Sequence, residues 1–353
     1  MIKKEIYLLH EYGDESHFKA IYDYSELYGF EIKGMVILSK YQILKRFAKK
    51  VLKGNIWNGV LDFIKDVFLH YRVHFVSESV MIVGIAPYDS LLNKYSAIIK
   101  RNKSFYFTSW PYWDGSYFPK GTLKNKNRFE SMLTDCFCGA FCVNRAAAEQ
   151  LQNIIHPVSV VGHSIRVAEY NVKKTGVRRP LKFVFVGSFE QRKNIPLILN
   201  WIKGSGKHFD FYFMGKGPLL SDIKLLAEID PRVHLVGLVP KRELKQMLHQ
   251  YDFLVLPSQE EPFGIVLIEA FASGVPCIVS DAPGPKEIVS DEKNGFVFKL
   301  ENAEKNFSNV MSKAISLTDD EIENLKAHAA KEGLEYDSKK IAQKWFGQIN
   351  LFV

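Results

Sequence analysis

The chain has 353 residues, 47% hydrophobic and 24% charged, which supports a sizeable core and excludes a disordered or fibrous chain. No apolar run approaches the roughly eighteen residues of a membrane-spanning helix, and the basic start "MIKKEIYLLHEYG" breaks at His10-Glu11 without a small-residue cleavage site, so a first strand is expected there rather than a signal peptide. A net charge of +8 calls for an acidic partner, either an anionic membrane surface or a phosphorylated substrate; nucleic acid is set aside because no RNA- or DNA-binding motif accompanies the charge.

In chain order, strands are expected at 5–10, 30–38, 79–85, 104–109, 137–143 and 158–163, where apolar runs are rich in β-branched and aromatic residues. Between the second and third lies "KYQILKRFAKKVLKGNIWNGVLDFIKDVFLHYR" (40–72), which carries the basic excess. Leu44, Phe47, Ala48, Val51 and Leu52 fall at helical spacing there, with Lys45, Arg46, Lys49, Lys50 and Lys53 between them. Residues 40–53 thus read either as a basic amphipathic helix on an anionic membrane or as a surface helix with its apolar stripe in the core. The segment 105–118 is unusually aromatic. Trp110, Trp113 and Asp114 there would either stack on and hydrogen-bond an acceptor sugar, or form a turn packed on the core. Cys136, Cys138 and Cys142 read as small side chains on a core strand, with a C-x-C-x3-C metal site as the weaker alternative; no C-x-x-C or H-E-x-x-H accompanies them.

The stretch 166–180 is polar and basic and is expected to link two domains. Beyond it, strands at 181–187, 209–214, 233–237, 252–257 and 276–280 alternate with helical patterns at 195–203, 219–228, 242–251 and 265–272. Continuous apolar strands alternating with helices predict a parallel sheet covered on both faces, with ligands at the carboxyl ends of its strands. The tail is helical, with acids in the first turn of "DDEIENLKAHAAKEG" and a last helix near 336–349. The expected organisation is therefore α/β, with two doubly wound Rossmann-like domains: 1–170, 171–335, and a terminal segment 336–353 that returns to the first.

Chemistry concentrates in the second half. "EEPFGIVLIEAFASGVPCIVSD" (260–281) is almost wholly apolar after its acidic start, with one carboxylate, Glu269, inside a helix that belongs in a core. Gly264 lets the backbone approach a ligand, and the amides after it are orphan helix donors backed by the helix dipole, a phosphate site. Glu261 falls at the same edge, and ribose hydroxyls would satisfy Glu269. "FVFVGSFEQRKNIPLIL" places Gly187 and the cations Arg192 and Lys193 after a neighbouring strand, and "FMGKGPLL" repeats the strand, glycine turn and helix around Gly215. Three such turns on one edge suit a nucleoside diphosphate.

These blocks resemble the retaining glycosyltransferases of family four, of GT-B architecture. The family's E-x7-E falls on Glu261 and Glu269, and "VGSF", "MGKGP", "VGLVP" and "LVLPS" follow its order over residues 181–298. The resemblance implies that Lys193 binds the donor diphosphate and Glu269 the ribose. Glu261, Phe263, Gly264 and Ile265 would hold sugar and phosphate, and Val239 and Pro240 would lie near the base. It implies a cleft between the domains, with the acceptor on the first. Gly13 matches a glycine turn near the donor phosphates. Two departures stand out. Ser188 occupies the place of the family's usual arginine, whose charge either Arg192 supplies or Lys193 and helix amides replace. The histidine that many members direct at the reacting sugar has no counterpart in 105–118. With no D-x-D, neither cofactor nor metal is expected, only the nucleotide sugar as substrate, UDP-sugar first and GDP-mannose second. The expected role is transfer to a glycan, lipid-linked acceptor in surface-polysaccharide synthesis, in the cytoplasm at the inner face of the membrane. The alternatives are a non-catalytic GT-B nucleotide-sugar-binding or assembly protein, or an epimerase.

Overall fold

The computed structural model describes residues 3–10, 15–110, 123–170 and 176–353. The chain divides into two units, Met1–His163 with Ser338–Val353, and Ser164–Asp337.

The first unit holds six parallel strands, β1 (Lys4–His10), β2 (Phe30–Ile37), β3 (Val80–Gly84), β4 (Lys103–Thr108), β5 (Gly139–Cys142) and β6 (Val158–Val160), in the order β2-β1-β3-β4-β5-β6. The central strands are apolar where both faces are covered, and β3 is buried at every position. One face is closed by the terminal helix Ser338–Ile349. Its Trp345 is fully buried, with its ring 4.3 Å from that of Phe141 and 5.6 Å from that of Phe107. Residues 40–72 form two helices packed on each other, Lys40–Leu52 and Ile56–Arg72. Phe47 meets Phe63 at 5.0 Å, so part of the expected apolar stripe of 40–53 is spent on the neighbouring helix.

The second unit holds β7 (Leu181–Ser188), β8 (Phe209–Lys216), β9 (Val233–Gly237), β10 (Phe253–Leu256), β11 (Cys277–Ser280) and β12 (Gly295–Phe298), ordered β12-β11-β10-β7-β8-β9 and all parallel. Chain order reverses between β7 and β10, and such a reversal opens a crevice at the carboxyl ends of the two strands. Phenylalanine rings fill the core beneath it, Phe183 lying 5.6 Å from Phe253 and 6.2 Å from Phe211. The helix Ile265–Ala272 is buried from Leu267 onward and packs on the helix Asp319–Gly333. Gly333 permits that approach, since a Cβ there would fall on the backbone of Phe271 and Ala272.

The stretch expected as a linker is partly built into the second unit. The Val167 amide donates to Asp337 Oδ2 at 3.2 Å, Tyr170 is buried, and Arg179 holds the Ile315 carbonyl at 3.1 Å. The strand β12 lies beyond the last one expected. Its run "GFVF" is four residues long, and only its place at the sheet edge beside β11 makes it a strand.

Candidate functional site

Two loops leave the carboxyl ends of β7 and β10, and they are stitched together: the Gln259 amide donates to the Arg192 carbonyl at 2.8 Å. Lys193 ends a single 3-10 turn, Gln191–Lys193, stopped by Asn194 in the left-handed region at φ 55°. Its ammonium forms an ion pair with Glu261 across the two loops, and both side chains are about nine-tenths buried. Each charge offsets the desolvation of the other. The pair lies at the reversal point of the sheet.

Gly264 stands at the start of the helix Ile265–Ala272 with φ 88°, left-handed and unfavourable for any side chain. A Cβ there would come within 2.9 Å of the Leu267 side chain. The first amide used within this turn is that of Leu267, donating to the Gly264 carbonyl at 2.8 Å, so the amides of Ile265 and Val266 are helix-start donors. The loop after β11 props this segment: the Gly284 amide donates to the Glu261 carbonyl at 3.0 Å, and Gly284 is pressed on the backbone of Phe263, whose side chain is buried against Tyr336.

One turn into the helix, Glu269 is 5% exposed and protein groups contact it. The Tyr170 hydroxyl donates to its Oε1 at 3.0 Å, and Lys241 approaches the same oxygen at 3.5 Å. Burial first, and then the Glu269 charge, push the Tyr170 phenol far above its ordinary range, so it stays a neutral donor. Tyr170 is held in turn by Lys245, 5.5 Å above its ring and ion-paired to Glu169. Lys241 opens the helix Lys241–Met247 directly after Val239 and Pro240, so the "GLVP" turn and Glu269 are brought together. Tyr170 and Lys241 were not singled out in the sequence. Tyr170 sits in a polar stretch, and its partner is 99 residues away.

The glycine turns of β7 and β8 close on each other. Gly215 lies beside Gly187 in register, and a Cβ on Gly215 would strike the Gly187 carbonyl. Ser188 pairs in register with Lys216, a strand-end cation. Arg192 is 44% exposed and forms an ion pair with Glu190 at 2.8 Å, whereas Lys193 pairs with Glu261.

In the first unit Trp110 packs partly on the core, while Gly13, Trp113 and Asp114 lie outside the described residues. At the carboxyl end of β1, three histidine rings gather: His17 lies 5.8 Å from His10 and 4.8 Å from His163. They are 7 and 146 residues from His17, a spacing with no motif to reveal it. Cys142 is buried on β5 and Cys136 and Cys138 are half-buried free thiols. Among the described residues no group of three or more His, Cys, Asp or Glu is placed to hold a metal ion.

Two parallel-sheet Rossmann-like units with the nucleotide-type reversal in the second define the GT-B fold. Solved structures agree on that fold: sucrose-phosphate synthase from Thermosynechococcus elongatus superposes with a TM-score of 0.75 at 12% identity, covering 99% of this chain and 98% of that one. Anabaena HepE in complex with UDP and glucose superposes with 0.70 at 13% identity, covering 99% and 100%. Within the chain, residues 168–332 match the family of glycosyl transferases group 1. An uncharacterised glycosyltransferase of Methanocaldococcus jannaschii is 30% identical over 159 residues, 44% of this chain and 43% of that protein. The UDP-Gal:alpha-D-GlcNAc-diphosphoundecaprenol alpha-1,3-galactosyltransferase of Escherichia coli is 31% identical over 117 residues, 33% of this chain and 29% of that protein. The chain spans less than half the length of these curated relatives.

Proposed function

We propose that this chain is a retaining, metal-independent glycosyltransferase that moves a sugar from a nucleotide-diphosphate sugar to a glycan acceptor. The observation that carries the reading is the Lys193–Glu261 pair at the β7/β10 reversal, beside the left-handed Gly264 and the helix amides that follow it. Breaking the bond between anomeric carbon and phosphate leaves negative charge on the departing diphosphate. Lys193 and the amides of Ile265 and Val266 stabilise that charge. Lys216, beside Ser188 at the next strand end, offers a second cation where the family has arginine. Glu261 orients the donor sugar, and Glu269 accepts from the ribose hydroxyls. The leaving phosphate assists deprotonation of the acceptor hydroxyl on the same face of the sugar, so no enzyme nucleophile is needed.

UDP-sugar is the favoured donor and GDP-mannose the second. The acceptor is lipid-linked and the product belongs to a surface polysaccharide, so the chain works in the cytoplasm at the inner membrane face. The Escherichia coli relative, whose name states a UDP-galactose donor and a diphosphoundecaprenol acceptor, supports both choices. Ser188 and the outward-turned Arg192 favour one other reading, a non-catalytic nucleotide-sugar-binding protein.

A thermal-shift panel of UDP, GDP and their sugars tests the site. UDP at one hundred times its Kd is expected to stabilise the chain by about 2.7 kcal/mol. Lys193→Ala is expected to weaken that binding at least tenfold. A UDP shift that survives Lys193→Ala unchanged overturns the site, and binding without sugar transfer to any lipid-linked acceptor favours the non-catalytic reading.

A further inference from the structure

The 40–72 pair bares its longest apolar line on the second helix rather than the first. Along Ile56–Arg72 and the 3-10 turn that continues it, Trp57, Leu61, Ile64, Phe68, Tyr71 and Phe75 are all more than half exposed, Trp57 at 82% and Phe75 at 87%. Their spacing of four, three, four, three and four residues keeps all six within about 40° of one line on a 3.6-residue helix. Gly59, Asp66, Leu69 and His70 bury the opposite face, so the stripe is not a core face left bare by fraying. A continuous apolar, aromatic strip of this length on an exposed helix marks an interaction surface.

The charge around the strip says what covers it. Residues 40–72 hold eight Lys and Arg against Asp62 and Asp66 alone, an excess of six in a chain whose net charge is +8. Both carboxylates are already taken, Asp62 by Lys50 and Asp66 by Arg46 at 3.5 Å. The cations Lys45, Lys49, Lys53 and Lys65 form no ion pair among the described residues. Arg72 lies 5.8 Å over the Phe68 ring and Lys40 5.3 Å over the Tyr71 ring, so cations border the strip itself. A second copy of the same surface would bring like charges together. An anionic lipid surface is complementary to both features: its acyl boundary takes Trp57, Leu61 and Phe68, and its headgroups take the lysines.

We propose that this two-helix surface seats the protein on an anionic bilayer, with the Trp57–Phe75 strip entering the interface and the first helix supplying charge beside it. The proposal rests on the glycosyltransferase reading only for the location of the acceptor, and vesicle binding is measured without nucleotide or acceptor.

The test is sedimentation of the full chain with vesicles of phosphatidylglycerol and phosphatidylethanolamine, and of phosphatidylcholine alone. The expected result is binding to the anionic vesicles only, lost at least tenfold in the triple variant Trp57→Ser, Leu61→Ser, Phe68→Ser. All three side chains are more than half exposed, and an unchanged circular dichroism spectrum and thermal unfolding profile would show the variant folded. Lys49→Glu with Lys53→Glu is expected to weaken binding and flatten its salt dependence. Wild-type-like binding by the triple variant overturns the proposal. So does wild-type protein that ignores anionic vesicles, or a wild-type dimer that the triple variant converts to monomer. Failure of vesicle binding with an intact UDP shift would leave the donor site standing; loss of the UDP shift with intact vesicle binding would do the reverse.

Discussion

Glu269 is the residue on which the proposed donor site turns. A buried carboxylate needs partners, and both of those described fall on Oε1, Tyr170 by hydrogen bond and Lys241 by charge. In the proposed donor complex that arrangement leaves Oε2 for a ribose hydroxyl, with Tyr170 as a positioning residue. Tyr170→Phe removes the hydroxyl alone. It is expected to raise the KM for the donor about tenfold, a loss of about 1.4 kcal/mol, with kcat changed less than twofold. It should also shrink the preference for UDP over its 2′-deoxy counterpart, which a purely structural role would leave alone. Equal discrimination in the variant and the wild type would remove Tyr170 from the site. The Lys193–Glu261 pair has a different character, because each member is the other's only described charge partner at that depth. Removing one leaves the other buried and uncompensated, so single substitutions there cost stability as well as binding, and the conservative Glu261→Gln is the cleaner probe.

At the scale of elements, the second unit is fastened by side chains that satisfy helix ends. Arg232 donates to the carbonyls of Ile202 at 2.9 Å, Ser205 at 2.6 Å and Lys207 at 2.9 Å, closing the end of the helix Ile195–Gly204. It also grips Asp230, at 2.6 Å from Oδ2. Arg232→Ala is expected to destabilise the protein by about 1–3 kcal/mol, measured by urea unfolding, because the carbonyls lose their donor. The hydrogen bond from Arg232 holds the Asp230 carboxyl below its usual range. A depressed carboxyl stabilises above its unfolded pKa of about 3.9, and that contribution is lost as pH falls through the folded value. The variant should therefore show a smaller loss of stability below pH ~4 than the wild type. Most elements of this unit were legible from apolar runs and glycine turns: the helix at 265–272 and the strand at 233–237 were read at their observed bounds. The strand β12 was not, because a four-residue run carries too little pattern without its neighbour.

At the scale of the whole molecule, the chain crosses from the first unit to the second and returns. Ser164–Asp337 is one continuous stretch, whereas the first unit needs Ser338–Val353 to finish its core. Trp345, Phe346 and Ile349 are fully buried there, Phe346 stacking 4.6 Å from Tyr28. Ending the chain after Asp337 is expected to unfold the first unit, since losing even one such aromatic side chain costs about 3–5 kcal/mol. The second unit should persist and keep its UDP shift. A calorimetric scan of the truncated chain checks this: one surviving UDP-sensitive transition is expected, and a single transition lost altogether would show that the units do not fold separately.

The sequence by itself determined the α/β architecture, the alternation of strands and helices from β7 to β11, and the residue types at the carboxyl ends of β7 and β10. Those features are written in local patterns: continuous apolar strands, glycine at the ends of β7, β8 and β9, and a helix start behind Pro262-Phe263-Gly264. It also placed the basic excess in 40–72. Tertiary structure alone decided who meets whom. Lys193 and Glu261 are 68 residues apart, Tyr170 and Glu269 are 99, and no local periodicity couples such positions. It decided that the first helix of the basic pair spends Phe47 on its neighbour, leaving the longest bare apolar line on the second. It decided that the polar run after His163 is partly built into the second unit, because the Ile165 amide bonds the Tyr336 carbonyl and the Arg179 side chain bonds the Ile315 carbonyl where composition suggests a linker.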